Sequence, residues 1–90
     1  MKNMLRRLIE QTLKRASSAV AVLAQLRSGA RSRAARADIE DAIREMRLII
    51  ARLRQMLRRN GRHSPAGVCA IVARIADVIV EVLRRYPPQA

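Results

Sequence analysis

Arginine is the residue best placed to do chemistry in this 90-residue chain. It accounts for seventeen of nineteen basic residues, against seven acids, and the formal net charge is +12. A guanidinium pairs bidentately with phosphate or carboxylate and is always charged. Arg27, Arg31, Arg33 and Arg36 fall within ten residues of an Ala- and Ser-rich connector. Arg44, Arg47, Arg52, Arg54, Arg58 and Arg59 sit at the polar positions of the next segment. On a helix they form a stripe about 22 Å long at 1.5 Å per residue. Such a stripe offers salt-sensitive contacts to nucleic-acid phosphates without reading bases. The candidate contacts are Arg31, Arg33, Arg36, Arg44, Arg47, Arg54 and Arg58. The plainer reading is a solvated face, partly neutralised through Glu40 and Arg44. No zinc-finger spacing, aromatic RNA-binding motif or Gly-rich phosphate loop accompanies the charge.

Other reactive types are sparse. One Cys and one His cannot make an intrachain disulfide or a four-ligand zinc site. His63 and Cys69 would need a second copy to assemble a metal site. The expectation is a solvated His63 and a Cys69 acting as a small hydrophobe on an apolar helix face. Asp41 with Glu45, and Asp77 with Glu81, share helix faces at i, i+4. Arginines lie within reach of both pairs, so intrahelical ion pairs explain them better than acid–base catalysis. Tyr86 is the lone aromatic residue and cannot form a base-stacking platform. No enzyme, cofactor or metal site is expected.

The elements carrying these residues are helices. Fifteen alanines and only three glycines and three prolines disfavour a turn-rich β fold. Ser28-Gly29, Asn60-Gly61 and Pro87-Pro88 mark three stops, each Gly suited to a left-handed C′ position. Ser64-Pro65 marks a third start, with a hydroxyl N-cap and Pro at N1. Asp38 is one candidate cap for the second helix and Ser32 is its rival. The spacing predicts helices over about 3–28, 34–60 and 65–86. In the second, Ile39, Ile43, Met46, Ile50, Leu53 and Leu57 make a 4-3-4-3-4 seam, flanked by Ala42, Ile49 and Met56. In the first, Leu5, Ile9, Thr12, Ala16, Ala19, Leu23 and Leu26 follow similar spacing. Similar lengths and short connections predict one all-α domain over 1–90, an antiparallel three-helix bundle.

The third helix has more apolar surface than two neighbours can cover. Its polar residues Arg74, Asp77, Glu81, Arg84 and Arg85 occupy a narrow arc. Apolar residues from Val68 to Leu83 fill about 220° at 100° per residue. A helix that apolar is buried on more than one side. The surplus, centred near Ile75, Ile79 and Val82, is expected to meet a second copy or a partner helix. The interface candidates are Val68, Ile71, Val72, Ile75, Val78, Ile79 and Val82, and a homodimer is favoured.

No apolar run exceeds six residues, against the ~20 a membrane-spanning helix needs. Residues 1–37 carry nine basic residues, one acid and four serines, a transit-peptide-like composition. The preferred reading of this stretch is a basic first helix and connector. An Arg-rich amphipathic helix can also lie on anionic lipid. The lone thiol fits a reducing compartment, and a cytoplasmic location is expected. Together these features predict a non-enzymatic, self-associating helical interaction or regulatory module. Its alternatives are a nucleic-acid-binding protein and an artificial bundle without a natural task.

Overall fold

The computed structural model describes residues 2–58 and 65–87. Three helices follow one another: α1 (Lys2–Gly29), α2 (Arg33–Arg58) and α3 (Pro65–Arg85). α1 and α2 pack closely as a hairpin along their length, and α3 contacts both more sparsely. The chain is rod-like, 47 × 19 × 16 Å, with a radius of gyration of 14.5 Å. A compact chain of this length would have about 12 Å. The core is therefore a thin seam between long helices.

That seam follows the apolar spacing of the sequence. Ile9, Thr12, Ala16, Ala19 and Leu23 are buried on α1, and Ile39, Ile43, Met46 and Leu53 on α2. Leu5, Leu26 and Leu57 extend it as half-buried ends, and Ile50 is half-buried between Met46 and Leu53. Ala16, with no side chain beyond Cβ, is fully buried in this seam. Thr12 is the one buried polar residue among those described, and its hydroxyl donates to the Leu8 carbonyl at 2.7 Å. The hydroxyl thus needs no partner from another helix.

Residues 30–32 join α1 to α2. Ser32 wins the contest for the cap: its Oγ accepts the Ala35 N–H at 3.0 Å, and its carbonyl accepts the Arg36 N–H at 3.1 Å. Arg33 and Arg36 therefore belong to the first turn of α2 rather than to a loose connector. Gly29 departs from expectation. No described glycine has positive φ, and α1 closes with the Ala30 N–H donating to the Arg27 carbonyl at 3.2 Å. The last turn tightens into an i→i+3 bond, which needs no left-handed residue. The expected features at Asn60-Gly61, His63 and Ser64, the C-terminal end of the second helix and Pro88 lie outside the described residues.

α3 runs antiparallel to α2, as polar contacts between them show. Arg74 on α3 donates to Glu45 on α2, with Nε to Oε1 at 2.7 Å. Near the other end, the Tyr86 hydroxyl donates to Asp38 Oδ2 at 2.6 Å. Asp38, freed from capping, holds the end of α3 instead. That contact raises the Tyr86 pKa above 10.0, because the phenol proton is bonded to a carboxylate and ionisation would place two anions together. α3 contributes Val68, Ile75, Val78 and Val82 to the core, with Ile71 and Ile79 partly buried against it.

Candidate functional site

Two surfaces come out of this arrangement, one apolar and one basic. The apolar one is on α3. At 100° per residue, Cys69, Val72, Ala73, Ala76, Val80 and Leu83 fall within about 100° of arc. None belongs to the core cluster. Cys69, Ala73 and Ala76 are exposed, Val80 is 54% exposed, and Val72 and Leu83 are half-buried. The stripe is about 21 Å long at 1.5 Å per residue.

This stripe is not where the sequence alone centres the surplus. Of the seven interface candidates, Val68, Ile75, Val78 and Val82 are buried in the chain's own core. Ile71 and Ile79 pack against that core, and only half-buried Val72 falls on the outward stripe. Cys69 is solvent-exposed rather than packed as a small hydrophobe. Periodicity gives the width of an apolar arc, but which part faces home is set by the position of the hairpin. Arg74 and Arg85 reach toward α2, and this rotates the Ile75–Val82 side into the core. Ala76 and Leu83 could have been found by asking which apolar positions lie farthest from those arginines on the wheel at 100° per residue.

The basic surface lies on α2. Arg36, Arg47, Arg54 and Arg58 are exposed and share an arc of about 40° at 100° per residue. Asp38 and Glu45 face α3, and Arg47 and Arg54 project from the opposite side of α2. Arg36 reaches back to the Ala30 carbonyl at 3.4 Å. Arg47, Arg54 and Arg58 have no ion-pair partner among the described residues. Arg31 and Arg33 are exposed nearby, at the hairpin turn. Arg44 is drawn off this arc, pairing with Asp41 at 3.5 Å rather than with Glu40. Arg59 lies outside the described residues. With Arg33 and Arg36 in the first turn of α2, and no acid there, cations sit at the positive end of the helix dipole. That is an unfavourable local choice, which leaves the turn strongly electropositive.

One acid, exposed Glu40, lies on the basic arc of α2, and four others are gathered elsewhere. Asp38, Asp41, Glu45 and Glu81 line a shallow groove of about 240 Å³ between α2 and α3, together with Arg74 and Arg85. Each carboxylate has a partner. Glu45 pairs with Arg74, Glu81 with Arg85 at 3.2 Å, Asp41 with Arg44, and Asp38 with Tyr86 and Arg85. The groove is a polar clasp that holds α3 to the hairpin. Of the expected intrahelical pairs, Asp41–Arg44 and Glu81–Arg85 are made, whereas Glu45 reaches across to α3. The described residues contain no cluster of three or more metal-ligating side chains and no helix long and apolar enough to cross a membrane. Compared with known protein families, curated proteins and solved structures, the chain shows no significant match.

Proposed function

We propose that this protein is a non-enzymatic helical interaction module that binds a second copy of itself through the outward stripe of α3. One observation carries the reading. α3 has one apolar seam in the core, and a second, with Val80 54% exposed, that lies outside the core formed by the described residues. Burying apolar surface is worth about 25 cal/mol per Å² before the costs of association. A single helix–helix seam is small, so the dimer belongs to the weak end of specific interfaces.

Light scattering from about 1 μM to about 1 mM protein is the test, since micromolar to millimolar dissociation constants span that range. The mass is expected to rise toward a dimer with concentration and to persist at high salt, where surface ion pairs are screened. Val80→Asp is expected to stay helical, because Val80 is outside the core, and to remain monomeric. A wild type that stays monomeric throughout overturns the proposal.

A second reading rests on a separate observation, that Arg47, Arg54 and Arg58 are exposed and have no ion-pair partner among the described residues. On this reading the α2 face grips nucleic-acid phosphates without reading bases. Arg54→Gln with Arg58→Gln is then expected to lower the slope of log affinity against log salt by about two on duplex DNA, at roughly 0.9 per contact. Absence of wild-type binding at low salt removes it.

A further inference from the structure

We infer that α3 pairs antiparallel with α3 of the second copy, in a register fixed by reciprocal ion pairs between Asp77 and the partner's Arg84. This rests on the self-association proposed above and specifies its geometry. Three features of the stripe point the same way.

The first is charge. Asp77 and Arg84 are exposed and seven residues apart, two turns along one edge of the stripe. Glu10, Asp38, Asp41, Glu45 and Glu81 each have an arginine partner. Among the described residues, Glu40 and Asp77 are the acids without an ion-pair partner, only Asp77 borders the stripe, and Arg84 beside it is also unpaired. Asp77 and Arg84 are too far apart to satisfy each other within one helix, about 10 Å at 1.5 Å per residue. An antiparallel pair brings like edges of two helices together, so one copy's Asp77 edge meets the partner's Arg84 edge twice. A parallel pair would instead bring this edge against the edge that carries Ile79, which packs on the core of its own chain.

The second is size. The small residues of the stripe, Cys69, Ala73 and Ala76, lie toward its N-terminal end beside Val72, and its largest residue, Leu83, lies at the C-terminal end with Val80. An antiparallel pair with its two-fold axis between Ala76 and Val80 sets small against large. Ala76 meets the partner's Val80, and Ala73 meets the partner's Leu83. A parallel pair would set alanine on alanine and leave a gap, and protein contacts are packed too densely to favour that.

The third is direction. Helical side chains lean toward the N-terminus of their own helix. In this register Asp77 and the partner's Arg84 are offset along the axis by about five residues, roughly 7 Å. Each leans toward the other, and the long arginine closes the distance.

The test uses the full chain. Asp77→Arg and Arg84→Asp are each expected to weaken the dimer about 5- to 10-fold, because each turns two attractions into repulsions. The double variant, Asp77→Arg with Arg84→Asp, is expected to recover wild-type affinity. Cys69 supplies a second readout without mutation. In this register the two Cys69 thiols lie about 27 Å apart at 1.5 Å per residue, far beyond disulfide reach. Mild oxidation of the dimer is expected to give no disulfide-linked dimer. A dimer that is indifferent to both charge reversals, or that cross-links readily through Cys69, overturns the antiparallel register and leaves self-association standing. A wild type that is monomeric overturns both.

Discussion

Along α1, buried positions recur through Ile9, Thr12, Ala16, Ala19 and Leu23, and four residues of the hairpin, Ala16, Leu23, Met46 and Leu53, have no exposed surface. Along α3, only Val68 is sealed to that degree. Ile75, Val78 and Val82 keep 5–8% of their surface in solvent. Yet α3 is the most apolar of the three helices. Apolar content and burial are therefore separate quantities in this protein. The hairpin places most of its apolar residues on one narrow seam and turns charge outward, with Met4, Val22 and Leu48 the large apolar exceptions. α3 divides its own between the hairpin and an open face, and part of its attachment is polar. Arg74 with Glu45, and Tyr86 with Asp38, fasten its middle and its C-terminal end to α2. An exposed ion pair such as Arg74 with Glu45 adds about 1 kcal/mol or less. The difference teaches that α3 is held well enough to be placed but keeps a face free to bind.

The largest effect should come from the hairpin. Leu23→Ala empties a fully buried site and is expected to cost about 2–5 kcal/mol. Val82→Ala, near the end of α3, is expected to cost about 1–2 kcal/mol at about 0.8 kcal/mol per buried methylene. Denaturant titrations at fixed protein concentration measure both, and hydrogen exchange should release α3 amides before those of α1 and α2. Equal costs, or simultaneous exchange in all three helices, would break the contrast between the two regions.

A smaller effect sharpens the hairpin side. A Cβ at Gly29 would meet nothing within 4 Å, and the backbone there has no positive φ. Gly29→Ala is expected to stabilise the protein by about 0.4–1 kcal/mol through the unfolded chain. A destabilised variant, seen as a lower denaturation midpoint, would mean that the turn needs glycine after all.

The smallest effect concerns the polar end of α3. The Tyr86 pKa is raised in the folded protein, chiefly by its hydrogen bond to Asp38. The sign follows from linkage. This contact stabilises the fold fully below pH 10.0, the ordinary tyrosine value, and its contribution is lost as pH rises through the higher folded value. Tyr86 is the chain's one tyrosine, so phenolate absorbance reports it directly. Asp38→Ala is expected to bring the titration midpoint down toward 10.0 and to flatten the alkaline loss of stability. An unchanged midpoint would detach Asp38 from the clasp.

Much of this was legible in the chain before any coordinates. The 4-3 spacing from Ile39 to Leu57 and from Leu5 to Leu26 set the helices and the seam, because 3.6 residues per turn leaves no other face for those positions. Composition also set the excess of apolar residues on α3 and the outward arginines of α2. Tertiary structure decided which side of α3 turns home. A helix apolar over most of its circumference has no unique inward face, so the choice fell to contacts across the bundle, Arg74 to Glu45 and Tyr86 to Asp38. Those partners are 29 and 48 residues apart in sequence, beyond any helical period. The same contacts took Asp38 from the capping role that its local context allowed and left Ser32 to start α2. Local spacing fixes what a residue can do within its own helix. Only the packing of one helix on another fixes which of those possibilities remains exposed.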